Sequence, residues 1–148
     1  MVQINVKPIV LRNVKVNIKS GATDVGDFEK ALSQVELTPS SSTVSRKGLN
    51  PEAVFNFPGA ETWVATLAYA QDWTAATSLS RYLFDNSGAE VVLTFLPNNG
   101  AAVSAANPAF RVTVTLQSGA VGGTVDSVAV GSVTLQCQGK PALITSLA

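Results

Sequence analysis

The chain has 148 residues, of which 46% are hydrophobic, so it is long enough for one domain with a buried core. Ten lysine and arginine residues balance ten acidic residues, and they form no basic run that could follow a phosphate backbone, which argues against tight nucleic-acid binding. The absence of histidine and the single cysteine, Cys137, exclude a Ser-His-Asp triad and an internal disulfide, and no stretch of about 18 apolar residues predicts a membrane helix.

Alternating apolar and polar residues predict strands in the first half of the chain. Val14, Val16 and Ile18 alternate with lysine and asparagine, the period-two pattern of a strand with one buried face. A second alternation runs over 31–37. The segment 61–70 is aromatic and β-branched, which is typical of a central strand.

The segment 39–58 has no clear periodicity and is rich in serine, asparagine, proline and glycine. We therefore predict a long loop over about 39–58. Loops beyond about 12–15 residues are uncommon inside a compact domain and usually have a function. We interpret this one as a contact arm, and the alternative is a mobile surface loop.

The spacing then changes to that of a helix, which we predict over about 74–86. Asp72 or Thr74 can cap its start, and Gly88 fits its end. The apolar stripe of this helix is formed by Ala76, Leu79 and Leu83.

Strand patterns resume after the helix, over 91–96, over 110–117 and in a last run that ends at Gln138. The last two of these strands are predicted to form a hairpin. About seven strands with one flanking helix predict a mainly β fold, an antiparallel β-sandwich or barrel, because parallel strands would need a helix between them. We expect a single domain over 1–148, with an N-terminal arm over about 1–9 and a C-terminal tail over about 140–148.

No motif for catalysis or ligand binding stands out. The glycine-rich segment 119–123 lacks the spacing of phosphate-binding loops and precedes a strand, where those loops need a helix. Asp24, Asp27 and Glu29 do not have the spacing of a calcium-binding loop. We therefore predict that the chain is not an enzyme and has no cofactor and no metal site.

A series of segments resembles one known family over about residues 61–141. The block TWVATLAYAQDWTAATSLSRYLFDNSGAEVVLTFLP (62–97) is followed by Asn107-Pro108-Ala109-Phe110, a turn at Gly122-Gly123 and the ending VTLQCQGKP (133–141). In this order they resemble the major tail tube proteins of long-tailed, siphovirus-type bacteriophages.

The resemblance implies a structural virion protein of the phage tail, assembled in the host cytoplasm. It implies a β-sandwich with a flanking helix, whose copies form hexameric rings that stack into a tube through which viral DNA passes during ejection. The implied partners are other copies of the chain and the tape-measure, tail-tip and tail-terminator proteins. DNA is expected to pass without specific binding, and no membrane is involved.

Two sets of residues are the candidate assembly sites. Strands with one polar face can line a lumen, and a wall with little positive charge would not hold DNA phosphates. The predicted lumen-facing residues are Gln34, Glu36, Thr113, Thr115, Gln117, Thr134 and Gln136. Arg111 shares their parity and fits such a wall least well. The predicted inter-ring contact residues, in the 39–58 segment, are Val44, Arg46, Lys47, Glu52, Val54, Phe55 and Phe57.

Two alternatives remain open. The inner tube of a contractile injection system shares the ring plan, and nothing in the residues separates it from a non-contractile tail. The other alternative is a monomeric immunoglobulin-like or carbohydrate-binding module. An exposed platform formed by Trp63, Tyr69, Trp73 and Tyr82 would favour that module, whereas burial of these side chains in the core would not.

Overall fold

The computed structural model describes residues 1–146 and consists mostly of antiparallel strands. The elements in chain order are β1 (Lys15–Ser20), β2 (Thr23–Asp27), β3 (Leu32–Ser40), β4 (Thr43–Lys47), β5 (Val54–Pro58), β6 (Thr62–Ala70), α1 (Leu79–Asp85), β7 (Glu90–Leu96), β8 (Ala109–Thr115), β9 (Val130–Cys137) and β10 (Ala142–Ile144). The predicted class, mainly β with antiparallel strands and one helix, is confirmed. The strand number exceeds the predicted seven because short strands such as β2 and β10 are too brief to show a period.

Most strands belong to one sheet, in the order β2-β1-β7-β8-β9-β6-β3, and β10 joins it beside β8. β4 and β5 form a separate two-stranded sheet. Within residues 1–146, β2 and β3 have no second partner, so the sheet does not close into a barrel. β2 and β3 therefore each keep a free edge, as does the short β10, and such edges present unpaired backbone groups.

The sheet divides into two halves where β8 meets β9. These strands share only two residue pairs, Val114 with Cys137 and Thr115 with Gln136, and we call this contact the seam. β9 pairs along its length with β6 instead, and β10 continues the pairing of β8. The predicted hairpin of the last two long strands is therefore wrong beyond the seam, because β9 leaves β8 to pair with β6.

Alternate side chains of both halves point into one core. The buried side chains include Leu67 of β6, Leu93 of β7, Val114 of β8 and Leu135 of β9, all without measurable exposure. Burying an aliphatic side chain of this size stabilises the fold by about 1.5–3 kcal/mol. The two halves are thus held together by the core, since the seam contributes few backbone bonds.

Helix α1 is shorter than the predicted 74–86 and begins at Leu79. Its N-cap is Ser78, whose Oγ accepts a hydrogen bond from the Arg81 amide at 3.4 Å. The predicted caps Asp72 and Thr74 are wrong because they bond to each other: the Thr74 amide and hydroxyl both donate to Asp72 Oδ1, at 3.0 and 2.8 Å. That local turn holds the chain out of the helix until Ser78.

The helix covers the core with Leu79 and Leu83, as predicted, whereas Ala76 lies exposed before the helix begins. Gly88 follows the last turn with φ of 93°, a value that L side chains rarely adopt, and its amide donates to the Leu116 carbonyl. Glycine thus allows the return from α1 to β7.

The segment 39–58 was predicted to be a loop, and this prediction is wrong. The segment continues the β-structure. β3 extends to Ser40, β4 and β5 pair as a hairpin, and β6 begins at Thr62. All ten residues of β4 and β5 are exposed. A strand pair with no buried face lacks the alternation from which strands are predicted, so the sequence pattern could not identify it.

The two chain ends differ. No helix or strand lies before Lys15, and residues 1–13, which include the predicted arm over about 1–9, are exposed. Part of the predicted tail 140–148 belongs to the sheet, because Ala142–Ile144 pairs with β8. The last two positions of that tail lie outside the described residues.

Candidate assembly surfaces

Four of the predicted lumen residues lie together on the non-core face of β3 and β9. Glu36 pairs with Thr66 of β6, and Thr66 pairs in turn with Thr134 of β9, so the three form one row across the sheet. Rows on either side contain Gln34 and Gln136. We call these residues, with Thr66, the polar band. Thr66 was not in the predicted set, although the alternation of β6 places it on the polar face.

The remaining predicted lumen residues lie beyond the seam. Thr115 pairs with Gln136, and its hydroxyl accepts a hydrogen bond of 2.8 Å from Gln138 Nε2, so it borders the polar band. Thr113 is on the same face of β8, two residues further from the seam, whereas Gln117 is exposed just after β8 ends. The structure thus joins six of the seven in one continuous face and leaves Gln117 at its margin.

Charge is distributed unequally between the two halves of the sheet. Glu36 is the only charged residue in β3, β6 and β9. The other half carries six charged residues, namely Lys15 and Lys19 on β1, Asp24 and Asp27 on β2, Glu90 on β7 and Arg111 on β8. The polar band therefore presents hydroxyl and amide groups almost without charge, and Arg111 lies outside it.

The hairpin of β4 and β5 has one largely apolar face. Val44 pairs with Phe57 and Arg46 with Phe55, which places these four side chains on the same side of the ribbon. Val44, Phe55 and Phe57 are 58, 50 and 57% exposed. We call these four residues the hairpin face. Large apolar side chains that share an exposed face are typical of contact surfaces.

The other predicted contact residues are not on the hairpin face. Lys47 pairs with Val54 on the opposite side, where the Ser45 hydroxyl donates to Asn56 Oδ1 at 2.7 Å. Glu52 lies in the turn between the strands, close to Leu49, which is fully exposed. Leu49 is a contact candidate that the sequence analysis missed, since a single leucine in a polar turn gives no pattern.

The aromatic residues do not form an exposed platform. Tyr69 is 2% exposed and part of the core, and Tyr82 stacks on the buried Phe28 with ring centroids 6.2 Å apart. Burial raises the pKa of both phenols. Trp73 packs edge-on against Phe84. These contacts support the core interpretation over the carbohydrate-binding one.

Two other kinds of functional feature are absent from residues 1–146. No group of three or more acidic or cysteine side chains is placed to hold a metal ion in this range. Its single helix falls well short of the length needed to cross a membrane. Burial raises the pKa of the Cys137 thiol at the seam, which lowers its thiolate fraction at neutral pH.

Comparison with known proteins identifies the fold. No family model and no curated protein matches the sequence. Among solved structures, the SPP1 tail tube matches with a TM-score of 0.69 and 14% identity, covering 95% of this chain and 81% of that one. The sheath–tube complex of PVC, an extracellular contractile injection system in its extended state, matches with 0.61 and 14%, covering 93% and 92%.

A third structure, the tail of an empty gene transfer agent particle determined with C6 symmetry, matches with a TM-score of 0.60 and 11% identity, covering 89% of this chain and 96% of that one. At these identities the likeness concerns the fold. The chain has, over almost its whole length, the fold of proteins found in tail and injection tubes.

Proposed function

We propose that this chain is the major subunit of a tail tube of the siphovirus type, a structural protein of the virion tail without enzymatic activity. Copies of the chain form rings, the rings stack into a tube, and viral DNA passes through the lumen. The matched structures come from tail and tube assemblies of this fold, and their coverage of this chain supports the proposal.

The observation that carries the proposal is the polar band. A DNA conduit needs a wall that does not hold phosphates, and each lysine or arginine that neutralises a phosphate adds affinity through counterion release. The band lines three adjacent strands with hydroxyl and amide groups and one carboxylate, Glu36. Such a wall gains little affinity for DNA phosphates, and its carboxylate repels them. We therefore propose that the half formed by β3, β6 and β9 faces the lumen.

Ring formation requires two different surfaces on each subunit. A closed ring of identical copies uses a heterologous interface, in which one edge of a subunit meets a different edge of the next. β2 and β3 provide two unlike free edges, with Asp24 and Asp27 on the first and Gln34 and Glu36 on the second. We propose that the rings are hexameric. The further partners in this proposal are tape-measure, tail-tip and tail-terminator proteins.

Stacking of rings needs a contact along the tube axis, and the hairpin suits that role. It projects from the ends of β3 and β6 and buries neither of its faces within the chain. Binding of the hairpin face to the next ring would bury Val44, Phe55 and Phe57. Arg46 beside them can pair with acidic residues at the edge of that contact.

The test is negative-stain electron microscopy of the purified protein over a concentration series, with size-exclusion chromatography of the same samples. We expect rings or hollow filaments of constant diameter. A chain that stays monomeric at every concentration, even with a tail-tip extract added as nucleus, would contradict the proposal and favour the monomeric binding module.

A second candidate is the inner tube of a contractile injection system, because the PVC structure has a similar TM-score and contains sheath as well as tube. The two differ in their outer surface, which only a contractile tube shares with a sheath. Co-sedimentation of the assembled tubes with the sheath protein encoded nearby distinguishes them: binding supports the contractile candidate, and the absence of any such gene supports the siphovirus type.

A further inference from the structure

The first residues of the chain have the pattern of a strand without a partner. Val2, Ile4 and Val6 alternate with Gln3, Asn5 and Lys7. The three apolar side chains are 87, 86 and 79% exposed, and the segment belongs to no sheet of the described chain. We call residues 2–7 the arm strand.

A groove of about 700 Å³ lies beside the free edge of β3. Its walls are formed by β3 on one side and by residues 11–16 on the other, and Glu29 and Lys30 complete the lining. Three of the apolar side chains that border it are only partly buried, although they pack on the core; they are Val14, Leu32 and Val35. The groove is thus an opening where the core lacks one strand.

We propose that the arm strand of one subunit fills this groove in a second copy of the chain by pairing with β3. The alternation agrees on both faces: Val2, Ile4 and Val6 would cover Val35 and its neighbours, while Gln3, Asn5 and Lys7 would extend the polar face beyond Gln34 and Glu36. The arm strand spans roughly 20 Å at 3.3 Å per residue, which is shorter than β3 and therefore fits along it.

The groove contains a polar group that an incoming strand could satisfy. Acidic and basic side chains both line it, Glu29 and Glu36 together with Arg12 and Lys30. One carboxylate oxygen of Glu29 is buried with no hydrogen-bond partner among the described residues. A buried carboxylate oxygen without a donor is costly, so an incoming amide or ammonium group would be stabilised there.

The occupant is a second copy and not the same chain. Residues 11–13 already line the groove, so the arm strand of the same subunit would have to reverse direction within Pro8, Ile9 and Val10. These residues include neither the glycine nor the asparagine of tight hairpin turns. In the proposed ring, by contrast, the β3 edge meets the neighbouring subunit, and the neighbour's arm strand is then the part of that subunit with which β3 pairs.

Disulfide trapping tests this inference, which rests on the proposed self-assembly. In a Cys137→Ser background, protein with Asn5→Cys is mixed with protein carrying a cysteine at Gln34, Glu36 or Thr38, a series that covers the possible registers. We expect a disulfide-linked dimer for at least one position. Thr66→Cys is the matched control, because it lies one strand further on the same face and is beyond disulfide reach.

The outcomes separate the inference from the proposed function. Tubes that form without any cross-link to β3 would overturn the arm-strand inference and leave the tube proposal intact. The same holds if a variant with both cysteines in one chain forms the disulfide only within that chain. Failure of the unmodified protein to assemble would overturn the tube proposal.

A second measurement uses the two faces of the arm strand. Val2, Ile4 and Val6 all changed to serine should raise the protein concentration needed for assembly about tenfold or more, because three apolar side chains lose their burial. The matched triple change of Gln3, Asn5 and Lys7 to serine should have a much smaller effect. Equal effects of the two triple variants would contradict pairing with a defined face.

Discussion

At the scale of single residues, the Tyr69 side chain fits its buried position because two glycines leave room for its ring. Two glycines approach its ring: a Cβ at Gly131 would lie 3.0 Å from Tyr69 Cζ, and one at Gly119 would overlap the hydroxyl. Gly119 is in the segment after β8 and Gly131 is in β9, so both glycines make room for one buried phenol at the end of the core.

Gly119→Ala should therefore lower the free energy of unfolding by about 1–3 kcal/mol, the usual cost of overpacking. In a Tyr69→Phe background, Gly119→Ala should lower the free energy of unfolding by less, because the hydroxyl that the alanine Cβ would overlap is absent. Chemical denaturation of the four proteins gives the coupling energy directly. Equal losses in both backgrounds would show that the alanine acts on the backbone and not on Tyr69.

At the scale of elements, the sequence predicted strands wherever a buried face imposed alternation. β1, β6, β7 and β8 each place every second, apolar residue in the core, and all four were predicted within a few residues of their ends. Four of the five residues of the polar band were predicted to share a face for the same reason, since the residues between core positions of β3 and β9 lie on the other face.

Elements without a buried face were not predictable in this way. β4 and β5 contact only each other, and the pairing that places Val44 beside Phe57 depends on a register that composition does not encode. Likewise, Asp72 and Thr74 are sound caps by residue type, but they form a turn with each other, and Ser78 caps the helix. Competition between local hydrogen bonds decides such cases.

The hairpin can be removed without touching the core. Ser40 and Thr62 are paired residues at the ends of β3 and β6, with their hydroxyl oxygens 3.0 Å apart. Replacing residues 41–61 by Asn-Gly should therefore join the strands through a tight turn. We expect a circular dichroism spectrum that is still typical of β-sheet and an unchanged melting temperature, together with loss of stacked tubes in electron micrographs.

The control for this deletion compares the two sides of the hairpin. Phe55→Ser with Phe57→Ser removes the apolar contact and should also prevent stacking, whereas Lys47→Ser with Asn56→Ser changes the opposite side and should not. Normal tubes from the deletion variant would show that rings stack through another surface.

At the scale of the whole molecule, the two halves of the sheet have different chemical characters. One half carries six of the seven charged residues of the main sheet, and the other presents the polar band. The net charge of zero is a property of the whole chain and does not show this unequal distribution. A tube built from such subunits has a lumen whose properties a single residue can change, because each ring repeats the change around the wall.

Thr134→Lys should turn a passive lumen into one that retains DNA. Every ring would then carry several added ammonium groups, so fluorescent DNA should remain in the tubes and be released steeply as salt rises. Thr124→Lys, in the exposed segment before β9, is the control for charge outside the band. Equal retention by the two variants would mean that the band does not face the lumen.

Both sides of the hairpin of β4 and β5 are exposed, and this exposure also affects how fast tubes begin and grow. A two-stranded ribbon without a covering layer is marginally stable in water, so the free subunit holds β4 and β5 in place only weakly. In the proposed tube the next ring supplies the missing layer, and ordering of the hairpin is completed as that ring docks. The first ring has no docked neighbour to complete this step, whereas every later ring adds to a surface already in place. Initiation is then the slow event and elongation the fast one, which confines growth to tubes that have been started.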